Sequence, residues 1–151
     1  MSDSDLYDTD ILTWSEQQAA LLRRMASGER VNDQVDWANV IEEIESVGNE
    51  QRFAAESLLT NIMRHLLQIA AWPEAAAVSH WRNETAGWRV QLRRRLRRNP
   101  GLRPIIQAEL AELYQDAIET MYHEVDDVPR PPVPTSCPFT LDGLLTSPGL
   151  E

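Results

Sequence analysis

Lysine is absent from this chain of 151 residues, and all fourteen of its basic side chains are arginine. Arginine grips a carboxylate with two parallel hydrogen bonds where lysine cannot, so ion-pair design is one source of the bias. Codon preference in the source genome is the simpler one. Cysteine is nearly absent as well. Cys137, followed by Pro138, is the single example, which excludes an internal disulfide framework and an all-thiolate zinc site and fits a reducing cytoplasm. No basic segment leading into an apolar run follows Met1, so export is not expected. The most apolar stretch, Leu58 to Trp72, is broken by Arg64, His65 and Gln68 and is too short and polar to span a bilayer. Positive charge is lacking overall: the net charge of −10 disfavours generic binding to nucleic acid or an anionic membrane.

The helical patterning is abundant. In the run Asp36 to Gly48, Trp37, Val40, Ile41, Ile44 and Val47 recur at the three-and-four spacing of one helical stripe, with Asn39, Glu42 and Ser46 opposite. Residues 1–10 read as a short acidic arm, too poor a match to a calcium loop to bind the ion. A first helix starts near Thr13, with Asp10 as a competing cap, and stops at Gly28. Asp36 caps a second, Gly48-Asn49 breaks or bends it, and a third runs from about Glu50 to Trp72, ended by Pro73. The fourth runs from about Ser79 to Arg98, and a turn at Asn99-Pro100-Gly101 leads into a fifth from Pro104 to about Glu124. Ile62, Leu66, Trp81, Trp88, Leu92 and Leu110 are the expected inaccessible core. The fold class is therefore all-α: a single-domain bundle of about five helices over residues 1–127. Residues 128–151 are expected to form a Pro-rich extended tail whose short C-terminal helix packs on the bundle.

Three clusters are candidates for function. Arg93, Arg94, Arg97 and Arg98 point away from the fourth helix's apolar stripe and form a basic patch within the Arg-rich run 89–98, where residues 80–103 carry a net +7. Such a patch can track phosphates, yet no recognition motif accompanies it, and the acids Glu109, Glu112, Asp116 and Glu119 are placed to compensate it. The second cluster is Glu42, Glu43 and Glu45. Glu42 projects to solvent, and the other two flank the stripe, where pairing with arginines such as Arg89 and Arg95 is expected. The third is His65, at the margin of the apolar arc. No Glu-x-x-His motif is present, so a dimetal carboxylate site is not expected and His65 reads as structural.

Several segments together resemble the bacterial domain-of-unknown-function family twenty-nine: YDTD, WSEQQAALLR, DWANVIEEIESVGNEQR, RHLLQ, SHWRNE, LYQDA and CPFTLDGLL, in that order. The resemblance covers nearly the whole chain and implies a small all-helical bacterial protein with no assigned activity. Its motif positions here are Tyr7, Asp8, Asp10, Trp14, Asp36, Asn39, Glu42, Glu43, Glu45, His65, Trp81, Tyr114, Cys137 and Pro138. No catalytic residue, metal or cofactor is implied.

The expected function is a cytoplasmic, non-enzymatic binding or regulatory module acting through protein contacts or self-association, as a homodimer or with a protein partner. No small-molecule substrate is identifiable. The alternatives are a small enzyme or metal protein using His65 with nearby glutamates, and nucleic-acid contact through the Arg-rich helix.

Overall fold

The computed structural model describes residues 3–123 and 130–146, all of whose regular elements are helical. They are α1 (Asp3–Thr9), α2 (Ile11–Ala26), α3 (Trp37–Ala71), α4 (Val78–Arg98), α5 (Leu102–Ala108), α6 (Leu110–His123) and α7 (Leu141–Thr146), with a 3₁₀ turn at Asn32–Gln34. The chain forms two compact units, Met1–Asn49 and Glu50–Glu151. Among the described residues seven helices stand where five and a short C-terminal one were expected: the arm is helical, the second and third are one helix, and the fifth is two.

In the first unit, the segment expected to be a polar arm carries α1. Leu6 and Tyr7 give it an apolar side that packs on the small core of Trp14, Val35 and Val40. The Tyr7 and Trp14 rings meet edge to face at 4.9 Å. Asp10 wins the competition to cap α2: its carboxylate accepts from the Thr13 backbone N–H at 3.0 Å and from the Thr13 hydroxyl at 2.8 Å. At the other end Gly28 adopts φ 98°, a left-handed conformation that stops the helix where the sequence places the stop. Asp36 then opens α3. Its Oδ2 accepts from Trp14 Nε1 at 3.0 Å and Asn39 Nδ2 at 2.8 Å, while its own N–H donates to Gln18 Oε1 at 2.8 Å.

Gly48-Asn49 does not break α3, which is one helix of 35 residues. A glycine ends a helix when it turns left-handed, and Gly48 does not. In a helical conformation it costs only about 1 kcal/mol against alanine. The expected inward stripe at the start of α3 is also corrected. Val40 is buried, whereas Trp37 is 43% exposed, Ile41 51%, Ile44 67% and Val47 65%.

The second unit is built around Leu59, Ile62, Met63, Leu66 and Leu67 of α3. Leu92 and Leu96 of α4, Ile106 of α5, Tyr114, Ala117 and Met121 of α6, and Leu141, Leu144 and Leu145 of α7 complete this core. Trp81, Trp88 and Leu110 are half-buried rather than inaccessible; on α4 the buried positions beside the two tryptophans are Thr85 and Arg89. The expected fifth helix is two, interrupted at Glu109. Pro104 sits in the first turn of α5, where its missing N–H costs no helical hydrogen bond. After α6, residues 130–140 are not helical and run along it: Tyr122 and Tyr114 donate to the carbonyls of Pro131 (2.8 Å) and Pro134 (2.6 Å). The expected helix end at Glu124 and tail onset at Val128 lie outside the described residues.

Candidate functional site

The basic cluster of α4 divides into arginines that hold the fold and arginines that hold nothing. Arg89, expected to flank its helix and pair with an acid, is 8% exposed, and its Nε donates to the Leu144 carbonyl at 2.7 Å. Burial and the neighbouring Arg93 depress its pKa. Arg93 donates to the Leu145 carbonyl at 3.0 Å. Both carbonyls belong to the last turn of α7, whose C-terminal oxygens have no partner within so short a helix. Arg89 and Arg93 are thus caps for α7, and Arg93 is withdrawn from the patch in which the sequence groups it. Arg95, expected like Arg89 to pair with an acid, instead donates from Nη1 to Gln51 Oε1 at 2.5 Å. Arg94, Arg97 and Arg98 are exposed, and among the described residues none has a hydrogen-bond or ion-pair partner. Arg94 and Arg98 line a cleft with Arg95, Gln51, Gln91 and Asn99. Arg97 faces a second cleft, where Arg103 is paired with Asp142 at 2.7 Å.

Nor does Glu109 join the outward acidic stripe expected to offset this charge. Where α5 gives way to α6, its carboxylate turns onto Arg52, which also pairs with Glu56 at 2.8 Å, and burial raises the Glu109 pKa. Glu112, Asp116 and Glu119 remain exposed on α6.

His65 is 4% exposed, and both ring nitrogens are engaged: Nδ1 with Gln68 Oε1 at 2.7 Å and Nε2 with Glu84 Oε2 at 2.5 Å. The hydrogen bond to His65 holds the Glu84 carboxyl below its ordinary pKa. The Trp88 ring lies beside the imidazole, 4.8 Å between centroids. This assembly ties α3 to α4. The ring partners of His65 are Gln68 and Glu84, and none of Glu42, Glu43 and Glu45 is among them.

The glutamates themselves take different roles. Glu43 accepts from the Tyr7 hydroxyl at 2.6 Å, a bond that pushes the Tyr7 pKa up to about 12. Glu42 and Glu45 are exposed with no hydrogen-bond or ion-pair partner among the described residues, so the expected arginine pairing of Glu43 and Glu45 is corrected. Glu45 flanks the uncovered Trp37, Ile41 and Ile44, while Glu42 lies on the opposite side of the helix. Trp37 is held in place: its Nε1 donates to the Asn32 carbonyl at 2.8 Å, which fixes the indole while leaving its face to solvent.

The residues of this stripe were legible in the sequence; that they stay exposed among the described residues was not. Periodicity reports that a face is apolar and is silent on what packs there. The missed Arg52–Glu56–Glu109 cluster had a partial signal in the i, i+4 spacing of Arg52 and Glu56.

The family model described as "Domain of unknown function DUF29" matches residues 6–148. Among solved structures, the chain is similar to an alpha-helical protein of unknown function from Rhodospirillum rubrum, with 26% identity and a TM-score of 0.65 over 93% of this chain and 89% of that one. No curated protein matches.

Proposed function

The chain belongs to the family of domain of unknown function DUF29, and we propose that this member is a docking module that receives a basic, amphipathic helix of a partner protein on the start of α3. One observation carries the reading: Trp37, Ile41, Ile44 and Val47 are all exposed on a helix whose pattern is amphipathic. Together they present on the order of 400–500 Å² of apolar surface, comparable with the largest patch of an ordinary monomer and commonly a binding site. Tryptophan is a preferred interface anchor, and the hydrogen bond from Trp37 to Asn32 fixes its side chain before binding, which lowers the entropic cost.

Charge selects the partner. Residues 1–49 hold eleven carboxylates against three arginines, a net −8, and Glu45 beside the stripe is unpaired among the described residues. A second copy of the same face would bring like charges together, whereas a helix with lysines or arginines beside its apolar stripe meets both requirements. Such an acidic receptor has no need of catalytic groups. A cytoplasmic setting is part of the proposal and rests on the lone Cys137.

The test uses a designed leucine–lysine amphipathic peptide and a leucine–glutamate peptide with the same apolar face. The lysine peptide is expected to bind the whole chain at least about tenfold more tightly, a difference of about 1.4 kcal/mol. The double substitution Ile41→Asp, Ile44→Asp should abolish binding. That variant is more acidic than the wild type, so attraction by net charge alone would leave binding intact or strengthen it. Retained binding in the double variant overturns the proposal. So does a wild-type dimer that the same substitutions dissolve without any affinity for the peptide, which would assign the face to a second copy.

A further inference from the structure

Independently of the proposed docking face, the C-terminal half of α4 carries an arrangement that recognition of a helix does not use. Gln91, Arg94, Arg95 and Arg98 follow one another at i, i+3, i+4 and i+7 and therefore share one helical face. With Gln51 of α3 and Asn99 they line a cleft of about 410 Å³, within the roughly 300–1,000 Å³ of small-molecule sites. Neither a carboxylate nor an apolar side chain lines it.

The donors are partly arranged in advance. Gln51 Oε1 accepts from Arg95 Nη1 at 2.5 Å, which orients the Gln51 amide so that its Nε2 remains a donor and limits the rotation of the guanidinium. Arg95 Nε is shielded from solvent and has no acceptor among the described residues. Asn99 closes the end of the helix, its N–H and Nδ2 donating to the Arg95 carbonyl at 2.9 and 3.1 Å. Arg94 and Arg98 form a like-charge i, i+4 pair, which destabilises a helix by a few tenths of a kcal/mol until an anion lies between them. Guanidinium groups bind phosphate oxygens in bidentate fashion.

We propose that this cleft binds a small molecule bearing two or more phosphate groups, gripped by Arg94, Arg95 and Arg98 and by the amide of Gln51. A single phosphate satisfies one or two guanidinium groups, and three in one cleft call for a larger anionic charge. A nucleic-acid strand fits less well, because it presents a phosphate every ~3.4 Å along its axis and needs a continuing basic track. Beyond the cleft Arg93 is committed to the Leu145 carbonyl and Arg103 to Asp142.

The experiment is calorimetric titration of the whole chain with inorganic pyrophosphate and triphosphate at fixed ionic strength, alongside a short single-stranded DNA. Binding at one site per chain is expected, tighter for triphosphate. Arg94→Gln with Arg98→Gln, both exposed positions, should weaken it by about tenfold or more. Arg82→Gln with Arg97→Gln removes the same charge from α4 outside the cleft and should change affinity less than about twofold. Equal losses in the two double variants would reveal general charge attraction and overturn the site. So would no binding by the wild type, or tighter binding of the DNA than of triphosphate with the same dependence on Arg94 and Arg98.

Discussion

The Tyr7 hydroxyl donates to Glu43, and that single bond shows how a residue with an apparent chemical role can be a fold contact. Losing the phenolic proton would leave an anion against the Glu43 carboxylate, with Glu42 adding to the repulsion. The folded pKa is raised above the ordinary 10.0 to about 12, so the contribution of this bond is fully present below pH 10 and is lost as pH rises through about 12. In a spectrophotometric titration, Glu43→Gln should return one tyrosine's ionisation toward its ordinary range. An unchanged titration curve would show that Tyr7 ionises independently of Glu43. At this scale the sequence was partly legible. The burial of Leu66, Ile62 and Leu92 followed from helical spacing, and so did the solvent-facing Glu42. The Tyr7–Glu43 bond did not, because it joins residues 36 apart and periodicity carries no information on pairing between helices.

At the scale of the element, arginine-rich α4 is read correctly as a helix and only partly as a surface. Its core face contains the buried Arg89, whose guanidinium reaches the end of α7. Arg89, expected to pair with an acid, and Arg93, expected to stand free in the patch, are therefore both structural. The α7 helix has six residues and cannot satisfy its own terminal carbonyls. Replacing Arg89 by Ala removes the donor to Leu144 and leaves a buried carbonyl without a partner. Stability should fall by about 1–3 kcal/mol in urea denaturation, against a near-neutral result for the exposed Arg97→Ala. A silent Arg89→Ala would show that α7 is held by its leucines alone. Boundaries were less legible than elements: α3 runs through Gly48, and Glu109 divides the fifth predicted helix in two. In each case a tertiary requirement or its absence decides, and neither is written in local spacing.

For the whole molecule, the two compact units differ in how completely their apolar faces are used. Among the described residues of 50–151 most of the leucines, isoleucines and methionines at helical spacing enter one core, with Phe53, Val90 and Ile105 left exposed. Residues 1–49 bury Trp14, Val35 and Val40 and leave Trp37, Ile41, Ile44 and Val47 in water. The all-α class was legible because amphipathic periodicity determines the element type regardless of what covers the face. The exposure of the α3 stripe was not, because a core stripe and an exposed one have the same pattern. The central claim is that this stripe is spare to the fold, and the most direct measurement compares the denaturant stability of Ile44→Asp with that of Val40→Asp. Ile44→Asp should stay within about 0.5 kcal/mol of the wild type, as exposed substitutions do. Val40→Asp, which places a carboxylate in the core of the first unit, should lose several kcal/mol. Equal, large losses in the two variants would contradict the claim and place Ile44 in the folded core.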